Sequence, residues 1–182
     1  MLNRLISLFG GKQPNPAAVA LYRHIVEQAR QPDFYSRHGV PDSLDGRFDM
    51  IVLHSFLVMR RLRTIASQAA DGLSQDLFDL LFADMDSNLR EIGVGDLGVG
   101  KRVKKMAQAF YGRVEAYEAG LTATDDAILT DALTRNLYGT TQPALPNQLA
   151  MAAYIRAADS RLAGQAEAKI MSGNVDFPPA PA

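Results

Sequence analysis

The chain has 182 residues, 47% of them apolar and 21% charged, with a formal net charge of −1 at pH 7. This composition reads as one soluble globular domain with enough chain to bury a core unaided. The lack of cysteine excludes disulfides, thiol catalysis and cysteine-ligated metal sites, and no apolar run approaches the roughly 20 residues of a transmembrane helix.

The first stretch, "MLNRLISLFGGK", is apolar at Leu2, Leu5, Ile6 and Phe9. Residues 1–15 are expected to be an N-terminal segment of amphipathic character, too short for a cleaved signal peptide. Pro16 then opens a helix, where its missing N–H costs nothing. Val19, Tyr22, Ile25, Val26 and Ala29 recur at helical spacing before Pro32 closes the run. "PDFYSRHGVPDS" reads as an ordered loop with Phe34 and Tyr35 turned back to the core.

A long helix is predicted from Leu44 to Ala70, its first half apolar almost all round and therefore buried. The next helix carries Leu77, Phe78, Leu81, Phe82, Met85, Leu89 and Ile92 on one face, with Ser74 as its N-cap and Gly93 as its C-cap. Another runs from about Gly98 to Ala119 on a stripe of Val99, Val103, Met106, Phe110, Val114 and Tyr117, with Gly120 as its stop. "TATDDAILTDALTRNLYG" gives a helix capped by Thr124 or Thr122 and ended by Gly139. An alanine-rich helix follows. The expected fold is all-α, a single compact domain of about six helices around a long central helix. The helical domain spans 16–171, and 172–182 is a mobile proline-rich tail.

"GVGDLGVGKR" (93–102) contains G-x-x-x-x-G-K from Gly95 to Lys101. A phosphate-binding loop needs a strand before it, a helix after it and Ser or Thr following the lysine. Here Arg102 follows the lysine and a charged helical pattern precedes the glycines. The stretch reads instead as a helix–helix joint with Gly93 in the left-handed region, Asp96 as a capping residue and close backbone approach at the glycines.

No catalytic, metal or cofactor site emerges. Asp84, Asp86 and Glu91 read as a solvated helix face. His54 sits amid "IVLHSFLVM" as a satisfied core histidine, whereas His38 is freer to act. Charge is uneven: Arg90 to Arg113 holds six basic and two acidic residues, and the chain beyond holds four basic and eight acidic. Lys101 and Lys105 share an exposed face, with Lys104 beside them, and Tyr111 lies just outside the core stripe. This basic helix reads as a docking surface or as a solvated face. Other classes stay open on the residues alone: an RNA- or ribosome-binding adaptor, or a haem-binding respiratory protein using His54 or His38.

Two stretches, "LYRHIVEQARQPDFYSRHGVPDSLDGRFDMIVLHSFLVMRRL" and "LFADMDSNLREIGVGDLGVGKRVKKMAQAFYGRVEAY", and the spacing between them carry a resemblance. Across about residues 20–160 the chain resembles the ubiquinol-cytochrome c chaperone family. The positions that mark the family fall here on Tyr35, Gly46, Arg47, His54, Asp86, Arg90, Glu91, Gly93, Gly95, Asp96, Lys101, Lys104, Phe110, Tyr111, Gly112 and Arg113. The resemblance implies a non-enzymatic assembly chaperone that binds unassembled or nascent cytochrome b during biogenesis of the cytochrome bc1 complex. It implies no cofactor and no DNA partner. A ribosome or a small helper protein are its further implied partners. It also implies a cytoplasmic location, with peripheral contact at the inner membrane. The residues expected to meet a partner are Phe34, Tyr35, Arg47, Arg90, Asp96, Lys101, Lys104, Lys105, Tyr111 and Arg113.

Overall fold

The computed structural model describes residues 14–93 and 95–181, with the backbone alone at Asp96 and Leu97. The amphipathic character expected of the N-terminal segment lies outside the described residues, as does any capping by the Asp96 side chain. The described chain is all-α. Its elements are α1 (Pro16–Ala29), α2 (Pro32–Ser36), α3 (Leu44–Ile65), α4 (Gln68–Glu91), α5 (Asp96–Thr122), α6 (Ala127–Leu133), a π-helical turn (Thr134–Tyr138), α7 (Leu145–Ala163) and α8 (Glu167–Met171).

Pro16 stands in the first turn of α1, and the Asn15 side chain accepts a hydrogen bond from Ala17 N. The Asn15 amide also donates to Asp76 at 2.9 Å, fixing the start of α1 to α4. Ala18, Leu21, Tyr22, Ile25 and Ala29 form its buried face. α3 packs against α1, α4, α5 and α7, which accounts for its nearly continuous apolar run from Phe48 to Val58. Three long helices, α3, α4 and α5, share the core instead of grouping round a single axis.

The predicted Leu44–Ala70 helix divides at Ala66. This residue takes a left-handed conformation (φ 49°), and Ser67 then caps α4 by accepting from Ala70 N at 3.2 Å. Ser74 is therefore inside α4 and caps nothing. A glycine would have announced this break, because the left-handed region penalises a Cβ. Ile92, expected inward, is exposed at the end of α4.

Gly93 has φ 85° and ends α4 as predicted. The other glycines differ from expectation. Gly95 occupies the N-cap position of α5, and Gly98 and Gly100 lie within its first turns. A Cβ at Gly95 or Gly100 would meet nothing within 4 Å, so neither serves a close approach inside the domain. Gly120 does not stop α5. It lies inside the helix, where a Cβ would come within 2.7 Å of Leu129 Cα, and so it permits α5 and α6 to cross closely. Asp126, not Thr122 or Thr124, holds the N-cap position of α6.

The tail is a packed element, contrary to the expected mobile extension. Gly173 (φ 91°) turns the chain back against α1, where a Cβ would clash with Ala17 O and Ala20 Cβ. Val175 is buried and Phe177 packs on the core. Side chains satisfy the tail backbone: Gln165 bonds both Asp176 N and Asp176 O, and Gln28 donates to Pro178 O. His38 Nε2 meets Pro181 O at 3.0 Å. His38, read as freer to act, is thus buried beneath the tail.

Candidate functional site

The residues expected to meet a partner divide among several places. Phe34 is fully buried and stacks edge-on against His54 and Tyr154, so it offers no surface. Tyr35 donates its hydroxyl to Ala29 O at 2.7 Å, and burial pushes its pKa up to about 12. Beside it, Arg47 pairs with Asp42 at 2.7 Å on the surface. Arg90 pairs with Asp86 one turn back along α4. Lys101, Lys104 and Lys105 are exposed on α5 and make no ion pair among the described residues.

Tyr111 is 63% exposed. Its ring leans on Phe78 and Phe110 with centroids 5.9 and 5.8 Å away. Together with Phe56, Met59, Arg60 and Val114 these rings edge a shallow groove of about 300 Å³. Lys104 lies two turns before Tyr111 on the same face of α5, whereas Lys105 faces a different and larger groove.

That larger groove, about 580 Å³, lies between the start of α3, the end of α4, α5 and the π-helical turn. Gly46 shapes its lip. A Cβ there would sit 2.0 Å from Pro41 O, so only glycine lets the 41–43 turn fold onto α3. Phe48, Met85, Leu89, Met106 and Leu137 give it an apolar wall, and Leu44 is 53% exposed at its edge. Arg102, Lys105 and Arg135 line its rim.

The floor is polar. Arg113 Nη2 approaches Asp49 Oδ1 at 2.8 Å, with both side chains largely buried. The contact is one of charge and not an aligned hydrogen bond. Asp49 Oδ1, Arg113 Nε and the Tyr138 hydroxyl have no hydrogen-bond partner among the described residues. Burial raises the Asp49 carboxyl to about 7; Arg113 opposes this and Asp45 adds to it. Burial also raises the Tyr138 phenol. Arg113, expected to meet a partner, joins α5 to α3 at the base of this groove.

The sequence reading missed Asp49, Arg135 and Tyr138. Asp49 left a signal, since it is a charge inside the buried run "FDMIVL". Arg135 left none, because only the π-helical turn carries it to α5. The haem-ligand reading fails at both histidines it named. His54 has both ring nitrogens engaged in the core, with Met50 O and Tyr154 OH, and His38 lies under the tail. Among the described residues no cluster of three or more potential metal ligands occurs, and no helix is long and apolar enough to cross a membrane.

The family model for the ubiquinol-cytochrome c chaperones matches residues 36–177, which include every residue lining this groove. The chain belongs to that family. Its fold is similar to the crystal structure of the Cbp3 homolog from Brucella abortus, with a TM-score of 0.81 and 37% identity over 90% of each chain. Ubiquinol-cytochrome-c reductase complex assembly factor 1 of Xenopus laevis is 25% identical over 121 residues, covering 66% of this chain and 60% of that one. The mitochondrial protein CBP3 of Saccharomyces cerevisiae is 30% identical over 108 residues, 58% of this chain and 32% of that one. This chaperone-family chain thus spans between about a third and three-fifths of the length of these two relatives.

Proposed function

We propose that this chain is a non-enzymatic assembly chaperone that holds unassembled cytochrome b while the cytochrome bc1 complex is built. The observation that carries the reading is the family match across 36–177, supported by the shared fold of the Brucella homolog. The geometry agrees with a holding role. α3 contributes residues to the large groove, to the Tyr111 groove and to the Arg47–Tyr35 surface, so one rigid helix carries all three candidate contacts. Concave sites of this size, with an apolar wall and a few polar groups, suit a short segment of a partner and reversible binding.

The chaperone works at the cytoplasmic face of the inner membrane, where the wet loops and termini of an unassembled membrane subunit are accessible. A ribosome or a small helper protein would then meet the exposed cations of α5 outside the groove, Lys101 and Lys104. Deleting the gene should remove the bc1 signal from membrane difference spectra while other respiratory complexes persist, and the tagged protein should co-purify with cytochrome b. A normal bc1 level in the deletion strain would overturn the reading.

A further inference from the structure

We propose that the large groove grips its client through a short amphipathic segment bearing carboxylates, a water-exposed stretch and not a membrane-spanning helix. This rests on the chaperone reading and names the chemistry of what the groove holds.

Two independent features converge. The rim carries Arg102, Lys105 and Arg135, exposed and without ion pairs among the described residues, against one rim acid, Asp45. With Arg113 and Asp49 at the floor, four cations face two acids, although the whole chain is slightly negative. The excess positive charge is therefore local, and a cleft with low-dielectric walls focuses it. Next, the wall is apolar, which demands an occupant with apolar side chains as well as charge.

The shape selects among anionic occupants. A flat membrane surface meets the exposed rim cations but does not enter the recess to cover its apolar wall. Nucleic acid would favour exposed aromatic rings for stacking, but the exposed ring of α5, Tyr111, edges the other groove. A transmembrane helix would bring no carboxylate for Arg102, Lys105 and Arg135. An acidic amphipathic loop or terminus satisfies rim and wall at once.

The test uses the full chain and fluorescence anisotropy with three labelled peptides of one length: an acidic amphipathic one, its Asn/Gln isostere and a basic counterpart. The acidic peptide should bind best, and its affinity should fall as salt rises. The triple variant R102E/K105E/R135E should weaken it about tenfold or more, as expected for charge reversal at a complementary rim. Arg161→Glu, a single exposed charge reversal on α7, should leave binding unaltered, and thermal melts confirm that the variants fold. Equal binding of acidic and isosteric peptides overturns the inference. So does tighter binding, lost in the triple variant, to phosphatidylglycerol vesicles or single-stranded RNA.

Capture of cytochrome b from membranes separates this inference from the chaperone reading. If wild type captures cytochrome b and the triple variant captures it equally, the groove chemistry is wrong and the chaperone reading stands. If wild type captures none and deletion leaves bc1 normal, the chaperone reading falls and with it the inference. Loss of both capture and acidic-peptide binding in the triple variant supports the inference.

Discussion

His54 Nε2 lies 2.7 Å from the Tyr154 hydroxyl, joining α3 to α7 across a hundred residues of sequence. His54 Nδ1 meets Met50 O at 2.8 Å, and because a carbonyl only accepts, the ring proton sits on Nδ1. Nε2 therefore accepts from Tyr154, whose oxygen in turn accepts from Gln28 at 2.9 Å. Phe34 and Phe177 pack edge-on against the imidazole. Replacing Tyr154 by Phe strands His54 Nε2 and leaves the Gln28 amide with Pro178 O as its acceptor, and should cost about 1–3 kcal/mol in urea unfolding.

Burial lowers the His54 pKa from 6.5 to about 4 and raises that of Asp49 from 3.8 to about 7. Between about pH 4 and 6.5 the folded state keeps His54 neutral while the unfolded state protonates it, so this group loses stability as pH falls. In the same window folded Asp49 holds a proton that the unfolded chain releases, so this group loses stability as pH rises. The two slopes oppose each other, each worth about 3 kcal/mol across the window. Relative to wild type, His54→Leu should shift the slope so that stability falls more with rising pH, and Asp49→Asn should shift it the opposite way. Denaturant titrations at several pH values read both.

Three glycines separate crowding from helix propensity. Gly46→Ala puts a Cβ on Pro41 O, and Gly120→Ala drives one into Leu129; each should destabilise by about 1–3 kcal/mol, Gly46→Ala the more. Gly112, also helical, has nothing within 4 Å of its would-be Cβ, so Gly112→Ala should stabilise by up to about 1 kcal/mol. Thermal melts that rank the three otherwise would contradict the crossing geometry.

Arg156 closes the α5–α6 connection. It pairs with Asp126 at 2.6 Å and donates to the carbonyls of Gly120, Leu121, Ala123 and Asp125. Lysine has one ammonium where this site uses a planar fork. Arg156→Ala and Arg156→Lys should both lose about 2 kcal/mol or more, and hydrogen exchange should quicken first over residues 120–127. Full rescue by lysine would show that charge alone matters.

A chain stopped after Gly173 loses the burial of Val175 and Phe177 and uncovers His54 and His38. The expected loss is about 3 kcal/mol or more, and the His54 imidazole should become titratable nearer its ordinary range by NMR. An unchanged melting temperature would mean that the tail contributes no stability.

Much of the architecture was legible because burial imposes period 3.6. Val99, Phe110 and Tyr117 fall on one stripe in the sequence and all three are buried. The misses have identifiable physical causes. Ala66 adopts a conformation that alanine does not advertise. Gly120 spells a helix end but serves a crossing, and that distinction depends on Leu129. The tail has the composition of a mobile segment, yet Gln28, Gln165 and His38 satisfy its backbone from elsewhere in the fold. At the groove, Lys105 and Arg113 were legible as cations on α5. Arg113's burial was not, because it follows from Asp49 on another helix.

The bond from Gln28 to Pro178 has a temporal side. It spans 150 residues, so the face of α1 that receives the tail stays open while the intervening helices are synthesised. Non-local closures of this kind come late in folding. The domain can therefore assemble its long helices early but can seal His54 only after residues 175–178 leave the ribosome. A protein proposed to shelter unfinished clients thus has its own core closed late, by the segment that follows α8.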